Sequence, residues 1–171
     1  TNPYVWIALV ATGWMGAVGF ADDYIKVVLK NKDGVAPKVK LAGQLSLGVI
    51  VSILILMLRE PPLETVTSLP FVPDGLIDYD FLPNWGGMEW GWLIFAPVIT
   101  FILTGVSNAV NLTDGLDGLT AGTAAFVTLA ITIMAFITGN ANLADFVNDV
   151  FLQGSSELVI FGAALSAACF G

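Results

Sequence analysis

Long apolar runs alternate with shorter polar connections along this chain. The runs cover approximately residues 4–21, 43–58, 92–110, 119–138 and 157–171. A helix needs about 20 apolar residues to span a bilayer, with some allowance for tilt. Lipid offers the backbone no hydrogen-bond partners, so the spanning segments should be helices. The pattern therefore predicts an all-α polytopic membrane protein, with about five transmembrane helices in a single membrane domain over residues 1–171.

The overall composition supports a membrane protein. The 171 residues are 56% hydrophobic and 12% charged, whereas soluble domains average about 45–50% apolar and about 25% charged residues. The net charge of −8 argues against a nucleic-acid partner, which would require a clustered basic surface. The chain has no histidine, which excludes histidine metal ligation or acid–base chemistry within these residues.

Charge is distributed unevenly among the four connections. Residues 22–42 carry five of the six basic residues, whereas 59–91 are strongly acidic. Because short lysine-rich loops stay in the cytoplasm, we expect 22–42 and 107–118 to be cytoplasmic and 59–91 and 139–156 to be external. Proline and glycine turn signals within 59–91 predict a small external hairpin.

The stretch "GFADDYIK" places two acids where the first apolar run ends. Carboxylates are unfavourable near a helix C-terminus unless a cation offsets them, and Lys26 lies at i+4 from Asp22 and i+3 from Asp23. We interpret these carboxylates as Mg²⁺ ligands or proton acceptors, with Lys26 meeting a phosphate. Lys38 and Lys40 could hold further anionic groups. The alternative is an ordinary solvated charge cluster at the membrane interface.

The stretch "NAVNLTDGLDGLT" carries four polar side chains at intervals of three: Asn108, Asn111, Asp114 and Asp117. In one straight helix these positions would drift around the axis, but the intervening glycines predict a bend that turns them into one pocket. Amide and carboxylate oxygens are suitable Mg²⁺ ligands. A simple polar turn or a calcium-type loop are the alternatives. Because both motifs are expected on the cytoplasmic face, together they favour metal-assisted transfer of a phosphate-linked group onto a lipid.

The segments "GFADDYIKV" and "NAVNLTDGLDGLTAG" resemble the bacterial phospho-N-acetylmuramoyl-pentapeptide-transferases (the MraY family), which belong to the polyprenyl-phosphate N-acetylhexosamine-1-phosphate transferases. The resemblance covers essentially the whole chain. It implies a homodimeric, ten-helix enzyme of the bacterial inner membrane with its active site facing the cytoplasm. Such an enzyme transfers phospho-MurNAc-pentapeptide from UDP-MurNAc-pentapeptide to undecaprenyl phosphate, forming lipid I and UMP with Mg²⁺.

The resemblance also implies roles for individual residues. The catalytic residues would be Asp22, Asp23 and Asp114, and the Mg²⁺ ligands would be Asp23, Asn111 and Asp114. Substrate binding would involve Lys26, Lys38, Lys40, Asn108, Asn111, Gly115, Leu116 and Asp117. Among these, Asp22 is expected to deprotonate the lipid phosphate, Lys26 to contact the diphosphate, and Gly115, Leu116 and Asp117 to hold the uridine end.

The ends of the chain indicate part of a longer protein. The last apolar run is only about fifteen residues long, short of the ~20 needed for a span. The resemblance implies two preceding helices, and a downstream Phe-Met-Gly-Asp motif with a histidine-rich loop. We therefore expect the 171-residue chain alone to be inactive.

Two alternative functions remain open. The first is a related transferase that uses another UDP-sugar. The second is a transporter with an acid-lined cytoplasmic vestibule, although transport sites normally lie near the bilayer midplane and these acids lie at the ends of the apolar runs.

Overall fold

The fold was analysed in a computed structural model, which describes residues 2–58, 65–68, 76–79, 90–113 and 118–171. Its helices are α1 (Pro3–Val27), α2 (Pro37–Leu58), α3 (Trp92–Thr113), α4 (Leu119–Thr138), α5 (Ala141–Phe146) and α6 (Leu158–Phe170), with a 3-10 turn over Ser155–Glu157. Two short strands, β1 (Val66–Ser68) and β2 (Leu76–Asp78), complete the described elements. Within these residues, α1 to α4 are long and apolar enough to cross a membrane. The predicted all-α polytopic membrane fold is confirmed.

Two helices extend well beyond the apolar runs from which they were predicted. Helix α1 continues through Asp22 and Asp23 to Val27, and α2 begins at Pro37. Hydropathy marks only the apolar part of a helix, whereas local chemistry sets its ends. Proline suits the first helical position because its missing N–H would have no helical partner there. Much of the predicted 22–42 connection is therefore helical, and the turn between α1 and α2 is short.

The chain divides into two compact units. The first contains the described residues within Trp6–Thr65 and Tyr79–Asn108. The second contains those within Thr1–Val5, Val66–Asp78 and Ala109–Gly171.

In the first unit, α2 and α3 are in close contact at Gly48. A Cβ atom at this position would lie 2.7 Å from Cγ2 and 2.8 Å from Cα of Thr100. One turn later, buried Ser52 donates to the carbonyl oxygens of Gly48 at 2.7 Å and Ala96 at 3.2 Å. Small residues let membrane helices approach closely, and hydroxyl groups add hydrogen bonds between them. The α2–α3 interface is therefore held by packing of small side chains and by a buried hydroxyl.

The second unit contains an equivalent contact between α4 and α6. Ser166 donates to the carbonyl oxygen of Ala125 at 2.9 Å, and a Cβ atom on Gly162 would collide with Oγ1 of Thr132. In the same unit, β1 and β2 pair antiparallel, with Thr67 opposite Ile77. The hairpin predicted within residues 59–91 is thereby confirmed.

Candidate active site

The site predicted at the end of α1 centres on the carboxylate of Asp22. Oδ2 lies 2.7 Å from Nζ of Lys26, one helical turn onward, and 2.8 Å from Nζ of Lys40 on α2. Oδ1 accepts a hydrogen bond of 2.8 Å from the backbone N–H of Val35. One carboxylate thus contacts two ammonium groups and a backbone amide, and it joins α1 to α2 and to the turn between them.

Glycine is required in this turn. Gly34 has φ 64°, a left-handed conformation that glycine adopts without steric penalty. A Cβ atom there would collide with Oδ1 of Asp22 and lie 2.7 Å from Cε of Lys26. The turn can therefore approach the carboxylate only because residue 34 has no side chain. The sequence contains a signal for it, because the Asp-Gly pair at 33 and 34 is typical of a turn.

The cluster is exposed on its cationic side. The side chain of Asp22 is 7% exposed, whereas those of Lys26 and Lys40 are 40% and 25% exposed. The lysine side chains therefore present more surface to a solute than the carboxylate does. The cluster thus contains two ammonium groups, the kind of group that binds anions such as phosphate.

Two other candidates lie in this region but outside the ion-pair cluster. Asp23 and Lys38 are both exposed, and among the contacts that the structure describes neither forms an ion pair with Asp22, Lys26 or Lys40. Asp23, the next residue on α1, is thus exposed to solvent, whereas Asp22 is buried. The structure brings together Asp22, Lys26 and Lys40, and leaves Asp23 and Lys38 at the surface.

Asn108 lies on α3 and is engaged with a residue that the sequence analysis missed. Gln44 on α2 donates to Oγ of Ser107 at 3.0 Å and to Oδ1 of Asn108 at 3.3 Å. The Asn108 amide donates back to Oε1 of Gln44 at 3.3 Å. A buried glutamine in an apolar helix was the available signal, because polar groups within a membrane segment need partners. Gln44 is 7% exposed, so this reciprocal amide pair satisfies a buried polar group and orients Asn108.

The remaining candidates lie around the end of α3. Asn111 is exposed on the last turns of this helix, which ends at Thr113. Asp114, Gly115, Leu116 and Asp117 lie outside the described residues. Just after them, Gly118 has φ 78° immediately before α4, a backbone conformation that suits the glycine-dependent turn expected in this motif.

The donor chemistry of the candidate ligands suits Mg²⁺. Within the part of the chain that the structure describes, no three Asp, Glu, Cys or His side chains cluster as a metal site. However, Mg²⁺ keeps several waters and is commonly held by one or two carboxylates together with substrate phosphates. Asp23 and Asn111 both present exposed oxygen atoms, the ligand type that this ion prefers.

Residues 5–171 match the protein family described as Glycosyl transferase family 4. The match extends over nearly the whole chain. The chain belongs to this family.

Curated relatives of this family-4 chain carry the same name in several bacteria. A protein of Salinibacter ruber named phospho-N-acetylmuramoyl-pentapeptide-transferase is 50% identical over 99% of this chain and 45% of its own length. Proteins of the same name from Chlorobium phaeobacteroides and Parabacteroides distasonis are 44% and 40% identical over 99% of the chain. These alignments cover 43% and 47% of the relatives. The chain thus spans less than half the length of the curated relatives it matches.

The family assignment gives the Asp22 cluster a chemical context. Lysines that contact a bound phosphate lower the energy of charge developing on its oxygens. In this family-4 chain, two ammonium groups contact one carboxylate oxygen and lie close to each other.

Proposed function

We propose that the full-length protein carrying this chain transfers phospho-MurNAc-pentapeptide from UDP-MurNAc-pentapeptide to undecaprenyl phosphate, forming lipid I and releasing UMP. The observation that carries the proposal is the pair of ammonium groups held on the carboxylate of Asp22. Support comes from the family match and from the name shared by relatives up to 50% identical. The proposed setting is the bacterial inner membrane, with a homodimer whose site faces the cytoplasm.

In this proposal the lysines bind the diphosphate of the sugar donor. Lys26 and Lys40 contact its oxygens, and Lys38 adds a further cation at the surface. The other substrate-binding candidates contribute polar contacts to the nucleotide sugar: Asn108, Asn111, Gly115, Leu116 and Asp117. Asp23, Asn111 and Asp114 would hold Mg²⁺, which when bound polarises the diphosphate and offsets charge on the departing UMP.

The proposed reaction is a displacement at phosphorus. An oxygen of the lipid phosphate attacks the β-phosphorus, and the bond from that phosphorus to the bridging oxygen breaks, so the bridging oxygen leaves with UMP. A phosphate monoester has a second pKa near 6 and is mostly ionised at pH 7. The nucleophile is therefore already charged, and the main contribution of the protein is to hold the two phosphates together and to stabilise the transferring oxygens.

The proposal is tested with purified full-length protein in lipid nanodiscs containing undecaprenyl phosphate. We expect UMP release that requires both the lipid and UDP-MurNAc-pentapeptide. Lys26→Met and Lys40→Met should raise KM for the nucleotide sugar, whereas Lys32→Met, at an exposed lysine outside the cluster, should not. Absence of lipid-dependent UMP release from the wild-type protein would contradict the proposal.

The same assay separates the alternatives. Turnover of another UDP-sugar in preference to UDP-MurNAc-pentapeptide would indicate the related transferase. Movement of the nucleotide sugar across the bilayer without UMP release would indicate the transporter.

A further inference from the structure

We infer that Asp22 is a positioning residue, which holds Lys26 and Lys40 as a cation pair for the substrate phosphates and does not itself take a proton from the lipid phosphate. This inference rests on the proposed function for its catalytic meaning. It assigns Asp22 a role different from the deprotonation expected from the family resemblance.

The first support is that both carboxylate oxygens of Asp22 are already engaged. Oδ2 contacts two ammonium groups at 2.7 and 2.8 Å, and Oδ1 accepts from the Val35 amide at 2.8 Å. A carboxylate has about four acceptor positions, so a phosphate hydroxyl would have to share Asp22 with two ammonium groups and a backbone amide, and protonation would remove the negative charge that holds both lysines. Proton transfer to Asp22 would therefore disturb the cluster that binds the phosphate.

The second support is the difference in solvent exposure between Asp22 and the two lysines. The Asp22 side chain is 7% exposed, whereas the side chains of Lys26 and Lys40 are 40% and 25% exposed. A proton acceptor must come within hydrogen-bond reach of the proton that it removes. The carboxylate of Asp22 offers little surface to an arriving phosphate, whereas the two lysine side chains offer more.

The third support is that Asp22 connects three separate parts of the chain. It is on α1, Lys40 is on α2, and Val35 belongs to the turn between these helices. Long lysine side chains lose considerable rotamer freedom when they are held in place. A buried carboxylate that fixes two of them in advance reduces the entropy lost on substrate binding.

A double-mutant cycle in the full-length enzyme distinguishes positioning from proton transfer. The variants are Asp22→Asn, Lys40→Met, their combination, and Lys32→Met as the control. If Asp22 acts through Lys40, each single change should raise KM for UDP-MurNAc-pentapeptide by about tenfold or more, as expected for loss of a charge-assisted hydrogen bond. The double variant should then be no worse than the more severe single variant, because residues that act together are not additive.

The opposite result would overturn the inference. If Asp22 accepts the proton, Asp22→Asn should lower kcat, by up to about 10²–10⁴-fold when the assay pH is below about 6 and the lipid phosphate is still protonated. It should do so by the same factor in the Lys40→Met background, with KM little changed.

A second measurement does not depend on enzymatic activity. Thermal unfolding of the same four variants should show that the Tm losses of Asp22→Asn and Lys40→Met are not additive, whereas additive losses would contradict the pairing. If the wild-type protein releases no UMP, the proposed function is refuted. Non-additive Tm losses in the variants would still support the Asp22–Lys40 pairing.

If the Asp22→Asn protein does not fold and cannot be assayed, two variants of Lys40 provide the test. Lys40→Met should raise KM and Lys40→Arg should restore it, because arginine keeps the cation. An unchanged KM in Lys40→Met would overturn the inference.

Discussion

Nζ of Lys40 lies 2.8 Å from Oδ2 of Asp22, although the two residues are on different helices. Lys26 contacts the same oxygen from within α1. The contact with Lys26 follows from helical spacing, whereas the contact with Lys40 requires that the turn between α1 and α2 fold back. The binding properties of the cluster therefore depend on the conformation of that turn.

The turn should tolerate no side chain at Gly34. Gly34→Ala combines a left-handed φ of 64° with a collision at Oδ1 of Asp22. We expect it to lower the free energy of unfolding by about 1–3 kcal/mol, the range for strained backbone and overpacking. Unfolding in mixed micelles measures the change. Gly19→Ala is the matched control because a Cβ at Gly19 meets nothing within 4 Å. Equal stability of the two variants would show that the turn is not packed on Asp22.

The α2–α3 interface should be sensitive to one added methyl group. In Gly48→Ala, the new Cβ would lie 2.7–2.9 Å from three atoms of Thr100, including its Cα. Overpacking of this kind destabilises by about 1–3 kcal/mol. Gly105→Ala is the control because a Cβ at Gly105 has open space, and there alanine should be neutral or stabilising by up to about 1 kcal/mol. Thr100→Ala in the Gly48→Ala background should restore only part of the lost stability, because Cα of residue 100 would still lie 2.8 Å from the added Cβ. Full rescue would contradict the close approach of the backbones.

The Gln44–Asn108 pair should contribute to stability as a coupled unit. Gln44→Leu removes the donor to Ser107 and both partners of the Asn108 amide. We expect a loss of about 0.6–2 kcal/mol, the range for hydrogen bonds between membrane helices. Unfolding of Gln44→Leu, Asn108→Leu and the double variant measures the coupling. Gln153→Leu, at an exposed glutamine, serves as the control. Additive losses for the pair would show that these amides act independently.

Asp23 should affect the metal requirement of the full-length enzyme. Asp23 is exposed, whereas the carboxylate of Asp22 is occupied by two lysines, so Asp23 is the member of the pair that is open to a cation. We expect Asp23→Asn to raise the Mg²⁺ concentration for half-maximal UMP release by about tenfold or more, because a neutral amide is a weaker ligand for a hard cation. Asp33→Asn, at an exposed aspartate in the turn, is the control. An unchanged Mg²⁺ requirement in Asp23→Asn would remove this residue from the proposed ligands.

Much of the membrane architecture could be predicted from local sequence. Apolar runs of spanning length indicated the helices because lipid leaves the backbone no other partners, and turn residues indicated the hairpin that pairs Val66–Ser68 with Leu76–Asp78. The helix ends were harder to predict. Helix α1 continues past Asp22 and α2 begins at Pro37, because hydropathy records burial in lipid and does not record where helical hydrogen bonding stops.

Residue chemistry and spacing along the chain predicted that Asp22, Lys26 and Lys40 lie near one another, but they selected Lys38 on the same grounds, and Lys38 lies at the surface. They could not assign partners, because a carboxylate can pair with any cation that folding brings near it. Only the tertiary structure placed Lys40 and the Val35 amide on Asp22, and only the packing of α2 against α3 placed Gln44 on Asn108. Pattern along a chain reflects the solvent that each segment meets, whereas contacts between segments depend on distances that exist only after folding.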